Sequence, residues 1–268
     1  MKLDIERVCQ ILAETAAEEV LPRYQALTSG QIRTKSGPND LVTVADEAAE
    51  VRLSAALTAL LPGSVAVGEE AVSADPALLT RLGASDTPTW IIDPIDGTWN
   101  FAHGTERFCM MVALSRDDTL LAAWIYEPLK ARCTTAERGA GTWRRADSGD
   151  TARITTPPPP SVRDQRGFVY HRHVDNSADP RLARWGSAGI EYLELLAGRA
   201  HFSCYDRSMP WDHAPGSLLI AEAGGQHGFA DGGSYHPSGG PKRAVFAAAQ
   251  PTRWAAARDS ILPDPERY

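Results

Sequence analysis

The segment TWIIDPIDGTWNF, residues 89–101, restricts what this chain can become more than any other stretch. An apolar β-like run, Trp90-Ile91-Ile92, leads straight into Asp93 and Asp96, with Pro94 between them and Gly97-Thr98 behind. Two carboxylates at a strand end do nothing for stability by themselves, and they invite a cation. Pro94 fixes a turn, so that Asp93, the carbonyl of Ile95 and Asp96 converge and offer the oxygen ligands that Mg2+ prefers. Gly97 allows close backbone approach, and the amides of Gly97 and Thr98, opening a helical turn, suit a phosphate. A lone Asp-Gly-Thr is ordinarily an Asx-type turn capping a helix; nine specified positions in a row ask for more than a cap.

With 268 residues the chain has room for one large domain or two modest ones, and 43% hydrophobic with 23% charged residues is an ordinary globular composition. The net charge of −7 argues against a nucleic-acid polymer as partner, because phosphodiesters repel it. Cys9, Cys109, Cys133 and Cys204 are widely spaced and form no CxxC pair, which argues against a thiolate metal site or a disulfide framework and suits a reducing cytoplasm. Acids punctuate the amino-terminal MKLDIERVCQILAETAAEE, and no window approaches the ~20 apolar residues of a membrane span, so neither a secretion signal nor a membrane partner is expected.

Ile5, Val8, Leu12, Ala16 and Val20 predict an amphipathic helix stopped at Pro22, and a second helix is predicted from about Thr43 to Leu61, ended by Pro62-Gly63. Short β-like runs follow, SVAVGEE, TWIIDPID, FCMMVALSR, TLLAAWIYEP and ARCTTAE, which belong to one sheet. The run TTPPPP, Thr155 to Pro160, continues neither sheet nor helix and marks the internal boundary, dividing the chain into 1–154 and 155–268. Beyond it GFVYHR, AHFSCYD and AVFAAA read as strands, and GIEYLELLAG, DHAPGSLLIAEAGG and TRWAAARDSIL as helices.

Further acids fall at element ends. Glu69 and Glu70 follow Gly68 at the close of a β-like run, and Asp212, after Trp211, stands at an N-cap position with Pro215 tolerated in the first turn. Singly these are solvated surface and a cap; with Asp93 and Asp96 they make a two-metal cluster. Six of the seven histidines, His171, His173, His201, His213, His227 and His236, show neither i,i+4 spacing nor a cysteine partner, so no transition-metal site is expected. His213, beside Asp212, is placed to orient a substrate.

In these residues the chain resembles the inositol monophosphatase family, Mg2+-dependent, lithium-sensitive phosphatases whose superfamily includes fructose-bisphosphatases, histidinol-phosphatases and phosphoadenosine-phosphate phosphatases. The family pattern Asp-Pro-x-Asp-Gly-Thr-x-Asn-Phe is met by residues 93–101, Gly-Glu-Glu by 68–70, and Trp-Asp-x-Ala-x-Gly by 211–216. Lys35, the DLVTVAD stretch ending at Asp46 and the Glu222-Ala223-Gly224-Gly225 helix end also match in order and spacing. The resemblance implies a layered αβαβα sandwich of the inositol monophosphatase and fructose-1,6-bisphosphatase type, α+β in the first half and α/β in the second, assembled as a homodimer.

It also implies an enzyme, a phosphoric monoester hydrolase with two or three Mg2+ ions. Glu69, Asp93 and the Ile95 carbonyl would hold the first ion; Asp93, Asp96 and Asp212 would hold the second. Glu69 and Thr98, with Asp46 behind Thr98, would orient a metal-activated water, and the Gly97 and Thr98 amides would bind phosphate oxygens. The expected substrate is a small phosphorylated metabolite, an inositol 1-phosphate-like, polyol or sugar phosphate. Histidinol phosphate, fructose 1,6-bisphosphate and 3′-phosphoadenosine phosphate are alternatives. A non-catalytic binding or regulatory protein of the same shape would be expected to have lost a metal ligand or the threonine, and all are present.

Two positions depart from the family. Pro215 stands where an alanine is usual, and Tyr205 stands where inositol phosphatases usually carry a glutamate that binds inositol hydroxyls. Asp206 could take over that role, and Arg207 could select a second anion. Tyr205, Asp206, Arg207 and Asp212 are therefore expected to line the substrate side, together with Gly186, Ser187 and Ala188, which resemble another substrate-contacting stretch.

Overall fold

The computed structural model describes residues 3–262 apart from 36, 38, 39, 84, 85, 173 and 241, so His173 lies outside the described residues. Helix α1 (Ile5–Thr15) starts at Asp4, whose carboxylate accepts the Arg7 amide at 2.9 Å. Its helical run continues as a π turn, Ala16–Val20, and a 3-10 turn, Leu21–Arg23, the second of which absorbs Pro22. Strands β1 (Ile32–Thr34) and β2 (Leu41–Thr43) pair as a small hairpin leading into α2 (Val44–Leu60). That helix opens with a capping box in which Thr43 and Asp46 serve each other's backbone ends.

The first large sheet follows in chain order: β3 (Val65–Gly68), α3 (Glu69–Ala74), β4 (Thr89–Asp96), α4 (Thr98–Ala102), β5 (Cys109–Arg116), β6 (Thr119–Glu127), β7 (Arg132–Glu137), β8 (Gly141–Ala146) and β9 (Thr151–Ile154). Its seven strands lie in sequence order, with β3 and β4 parallel and the rest antiparallel. Glu69 and Glu70, read from sequence as the end of a strand, open α3.

The second half contributes β10 (Gly167–Tyr170), β11 (Leu182–Ala183), α5 (Ala188–Leu196), β12 (Phe202–Tyr205), α6 (Pro210–Glu222), β13 (Gln226–Phe229), β14 (Val245–Ala248) and α7 (Pro251–Ile261). Its five strands are ordered β11-β10-β12-β14-β13. The proline-rich run lies between the two sheets.

Alternation along β4 explains the layers. Trp90 and Ile92 point to one face, where they meet Val8 and Leu12 of α1 and Leu53 and Leu57 of α2. Ile91 points to the other, into a core shared with α5, α6 and the second sheet. On the far side of that sheet, Phe202 and Phe246 pack against Trp254 of α7. The result is an αβαβα sandwich whose middle helical layer serves both sheets, so the two halves share one core. Both faces of β4 and β5 are buried, which suits the apolar stretches Trp90-Ile91-Ile92 and Cys109 to Leu114 within them. The Glu222 carboxylate accepts the Gly139 and Gly141 amides at 2.8 and 3.0 Å, tying the end of α6 to the β7–β8 turn. All four cysteines are free and buried. Among the described residues no helix is long and apolar enough to cross a membrane.

Candidate active site

Strict alternation would put Asp93 and Asp96 on opposite faces of β4, because they are an odd number of residues apart. A β-bulge prevents this: Asp93 pairs with Met111 and Asp96 with Cys109, so three steps on β4 match two on β5. Both carboxylates consequently face the middle helical layer, while Ile95 packs on the α1/α2 side. The expected turn at Pro94 is thus an irregular strand, and the same convergence is reached by an extra residue.

From the middle layer α6 brings Asp212, and Asp93, Asp96 and Asp212 each place a carboxylate oxygen within 4.8 Å of the others. Asp212 is not an N-cap, contrary to expectation. The helix begins two residues earlier at Pro210, and Pro215 lies inside it, leaving the Trp211 carbonyl without its usual amide. Glu69, at the start of α3, stands outside this trio but lines the same cleft, of about 1200 Å³, with Ile95, Gly97 and Thr98. Its Oε1 accepts Lys35 Nζ at 2.6 Å, and the same ammonium reaches Glu70 Oε1 at 2.9 Å.

Each acid is held differently. Asp96 caps α5: the amides of Ala188 and Gly189 donate to it at 3.0 and 2.7 Å, and Ser187 Oγ and Cys109 Sγ also donate. Ser187 and Ala188, expected on the substrate, are buried and bound to this carboxylate, and with the exposed Gly186 both line a smaller pocket beside the cleft. Asp93 is buried and its Oδ1 has no partner in the structure. Burial raises its pKa well above the carboxylate range, and the charges of Glu69, Asp96 and Asp212 push it the same way. A buried carboxylate oxygen with no donor, amid like charges, is the chemistry a cation relieves. The donor set is all oxygen, which fits a hard divalent ion.

Asp46 sits behind this group. Its Oδ2 accepts the Thr43 amide at 2.9 Å, and its Oδ1 accepts Thr98 Oγ1 at 3.0 Å. The same hydroxyl lies 3.0 Å from the Ile95 carbonyl. One hydroxyl has one hydrogen, and an ionised carboxylate is the stronger acceptor. Asp46 therefore takes the hydrogen, which leaves lone pairs on both the Ile95 carbonyl and Thr98.

Several contributors were not legible in sequence. Glu50, one turn after Asp46 on α2, accepts the Glu70 and Ala71 amides at 2.7 and 2.8 Å and so caps the helix bearing Glu69. A Cβ on Gly68 would lie 2.2 Å from the Glu50 carboxyl carbon, so a side chain there would displace this cap. Asn100 donates to the carbonyls of Arg107 and Trp185, both at 2.8 Å, clamping two distant loops onto the strand end. Gly97, at φ +91°, leaves room for that clamp, for a Cβ would sit 2.7 Å from the Arg107 carbonyl. The i,i+4 spacing of Asp46 and Glu50 was the one available signal.

Glu191 occupies the far wall. Fully buried in α5, it accepts Tyr170 Oη at 2.5 Å, the Trp185 amide at 2.8 Å and the Tyr205 hydroxyl. Tyr205 is thereby committed to Glu191, with its ring stacked on Tyr170. Asp206 is engaged too: His171 Nε2 lies 3.1 Å from Oδ1, and the Arg172 amide donates to Oδ2 at 2.9 Å. Arg207 is exposed on a smaller adjoining pocket of about 370 Å³, shared with Tyr205, Asp206, Asp212 and His213. His213 turns away from the cleft. Its Nε2–H donates to the Arg207 carbonyl at 2.8 Å, so Nδ1 must accept, from Tyr192 Oη at 2.9 Å. Tyr192 accepts in turn from His227 Nε2 at 2.9 Å. A buried chain thus locks α5, α6 and the segment before Asp212 together.

The acids also set a pH response. Burial, the largest cause in each case, raises Asp46 to about 6, Glu191 to about 7 and Glu70 to about 8. The folded state then keeps protons that an unfolded carboxylate of pKa about 4 has released, so stability falls as pH rises through these values. Buried His213 is lowered to about 4 and His227 is also lowered, both by desolvation, so they oppose this trend only below the ordinary histidine range. Between about pH 6.5 and 8.5, in chelator, the melting temperature is expected to drop by about 5 °C, and divalent cation is expected to shrink the drop. A thermal-shift series in which stability climbs across that window would count against these assignments.

The molecule is thus a five-layer αβαβα sandwich with a carboxylate-lined cleft at the ends of β3 and β4. The model of the inositol monophosphatase family matches residues 4–262. An inositol-1-monophosphatase of Rhizobium meliloti is 35% identical over 208 residues, covering 74% of this chain and 75% of its own. A Vibrio cholerae protein named Nus factor SuhB is 30% identical over 226 residues, covering 77% and 78%. Among solved structures, the Thermotoga maritima IMPase superposes with a TM-score of 0.79 at 21% identity, over 97% of this chain and 98% of that one, which speaks for the fold. The chain belongs to the inositol monophosphatase family.

Proposed function

We propose that the chain is a Mg2+-dependent phosphomonoesterase, acting on a small polar phosphate ester of the polyol or sugar kind. The observation that carries this reading is the convergence of Asp93, Asp96 and Asp212 around a partnerless buried oxygen, in a cleft large enough for a metabolite. Glu69, Asp93 and the Ile95 carbonyl would hold one ion, and Asp93, Asp96 and Asp212 would hold another. Bound there, Mg2+ supplies charge neutralisation for the phosphate dianion and lowers the pKa of water. The protein's own groups do the rest. Thr98, its hydrogen given to Asp46, would accept from the attacking water, and Glu69 would help to orient that water. The Gly97 and Thr98 amides receive phosphate oxygens.

Relatives named inositol-1-monophosphatase support the reaction class. Lithium inhibition, homodimer assembly and a cytoplasmic location belong to the same proposal. The test is phosphate release from a panel of polyol, sugar and bis-phosphates with and without Mg2+. Magnesium-dependent release is expected; binding of Mg2+ with no release from any ester would favour a non-catalytic role.

Thr98→Ala separates water orientation from ion binding. Its kcat is expected to fall by about two orders of magnitude, with little change in the Mg2+ concentration for half-maximal rate. Recovery of the full rate at higher Mg2+ would make Thr98 a support of the ion instead.

A further inference from the structure

Two arginines face the cleft from the segments that Asn100 clamps. The Arg107 guanidinium lies 4.3 Å from the ring centroid of Trp185. Arg184 lies 5.6 Å from the ring of Tyr170, and its Nε donates to the Val169 carbonyl at 2.8 Å. Both line the same cleft as Asp93 and Asp212. Stacking holds a planar guanidinium in place while leaving N–H donors at its edge, so little freedom is lost when an oxyanion arrives.

Charge pairing sets these two apart from three arginines of the second half. Arg172, Arg181 and Arg199 each sit against a carboxylate. Among the described residues no carboxylate pairs with Arg107 or Arg184, in a chain of net charge −7. The other charges of that wall are largely spent: Lys130 is held by Glu127 at 2.7 Å and Glu194 by Arg199 at 2.6 Å, leaving the exposed Glu106. Location is fixed by the strand-end segment itself, since the Asn100 side chain binds the backbone of both Arg107 and Trp185. The cleft, at about 1200 Å³, extends well beyond the space that one phosphate on three carboxylates takes up.

We propose that Arg107 and Arg184, backed by Trp185 and Tyr170, form a second anion subsite that takes a phosphate or carboxylate carried by the leaving alcohol. This rests on the phosphomonoesterase reading and adds a substrate class to it: phosphate esters with a distal anion. It also relocates the selectivity expected at Arg207, which lies on the smaller pocket.

The test uses pairs of esters alike at the scissile phosphate. Fructose 1,6-bisphosphate is compared with fructose 1-phosphate, and 3-phosphoglycerate with glycerol 3-phosphate. In the wild-type protein a distal anion is expected to raise kcat/KM about tenfold or more, mostly through KM, and the advantage should shrink with added KCl. In Arg107→Gln/Arg184→Gln the ratio is expected to fall to about threefold or less. An advantage confined to the bisphosphate identifies phosphate as the occupant; one shared with 3-phosphoglycerate identifies any oxyanion, and either supports the subsite. A wild-type ratio near one overturns it, as does an advantage that survives the double replacement and disappears in Arg207→Gln. Calorimetric binding of the same pairs, with Ca2+ in place of Mg2+, gives the ratio without turnover. Should no ester be hydrolysed, the phosphomonoesterase reading fails while the calorimetric ratio still decides the subsite.

Discussion

Asp93→Asn is expected to cut Mg2+-dependent phosphate release by about three orders of magnitude or more while the protein stays folded. Asp93 is buried, one of its oxygens has no donor, and Glu69, Asp96 and Asp212 press charge upon it. An amide keeps the shape and loses the charge that a shared ion needs. The same replacement removes a carboxyl whose ionisation is opposed by burial and by its acidic neighbours, so in chelator near pH 8 the variant is expected to melt about 2–5 °C above wild type. Two readings follow from one purified sample: phosphate release over a Mg2+ titration, and a melting curve in chelator. Activity near wild type would remove Asp93 from the centre of the site. A large loss of stability without metal would make it a structural residue.

Gly216→Ala is expected to destabilise the protein by about 3 kcal/mol, at the upper end of the usual cost of overpacking. A Cβ at 216 would sit 2.1 Å from Tyr192 Cδ2 and 2.4 Å from Cγ, so the clash is with the base of the ring. Tyr192 is fully buried, and its hydroxyl is held by His213 and His227, so it has no easy way to withdraw. Relief must come from separating α5 and α6. The first of these is capped by Asp96 and the second carries Asp212, so catalysis is expected to drop along with stability. Urea unfolding and metal titration of the variant test this. An unchanged urea midpoint would mean that the ring swings aside at little cost.

The last glycine of Trp-Asp-x-Ala-x-Gly thus has a physical reason that lies 24 positions upstream, in a tyrosine of another helix. The glycine of Gly-Glu-Glu has one of the same kind, in Glu50 of α2. Motif positions were visible as a pattern, but their causes were not, because each cause is a side chain that approaches through space.

What the sequence determined by itself was local. The stripe from Ile5 to Val20, the helix from about Thr43 to Leu61, the apolar run ending at Asp93 and the break at the proline run all depend on neighbours a few residues apart. They define the elements and mark which strand end carries the chemistry. Which face each carboxylate takes depends on strand pairing: the bulge opposite Cys109 and Met111 brings Asp96 round to Asp93 once β5 is in register. Tertiary contacts likewise bound Asp206 to His171 and Arg172, committed Tyr205 to Glu191, turned Ser187 towards Asp96, and set Arg107 on Trp185. Hydrogen bonds and charge act over a few ångströms of space, so a chain that carries its partners tens of residues apart reveals them only once it is folded.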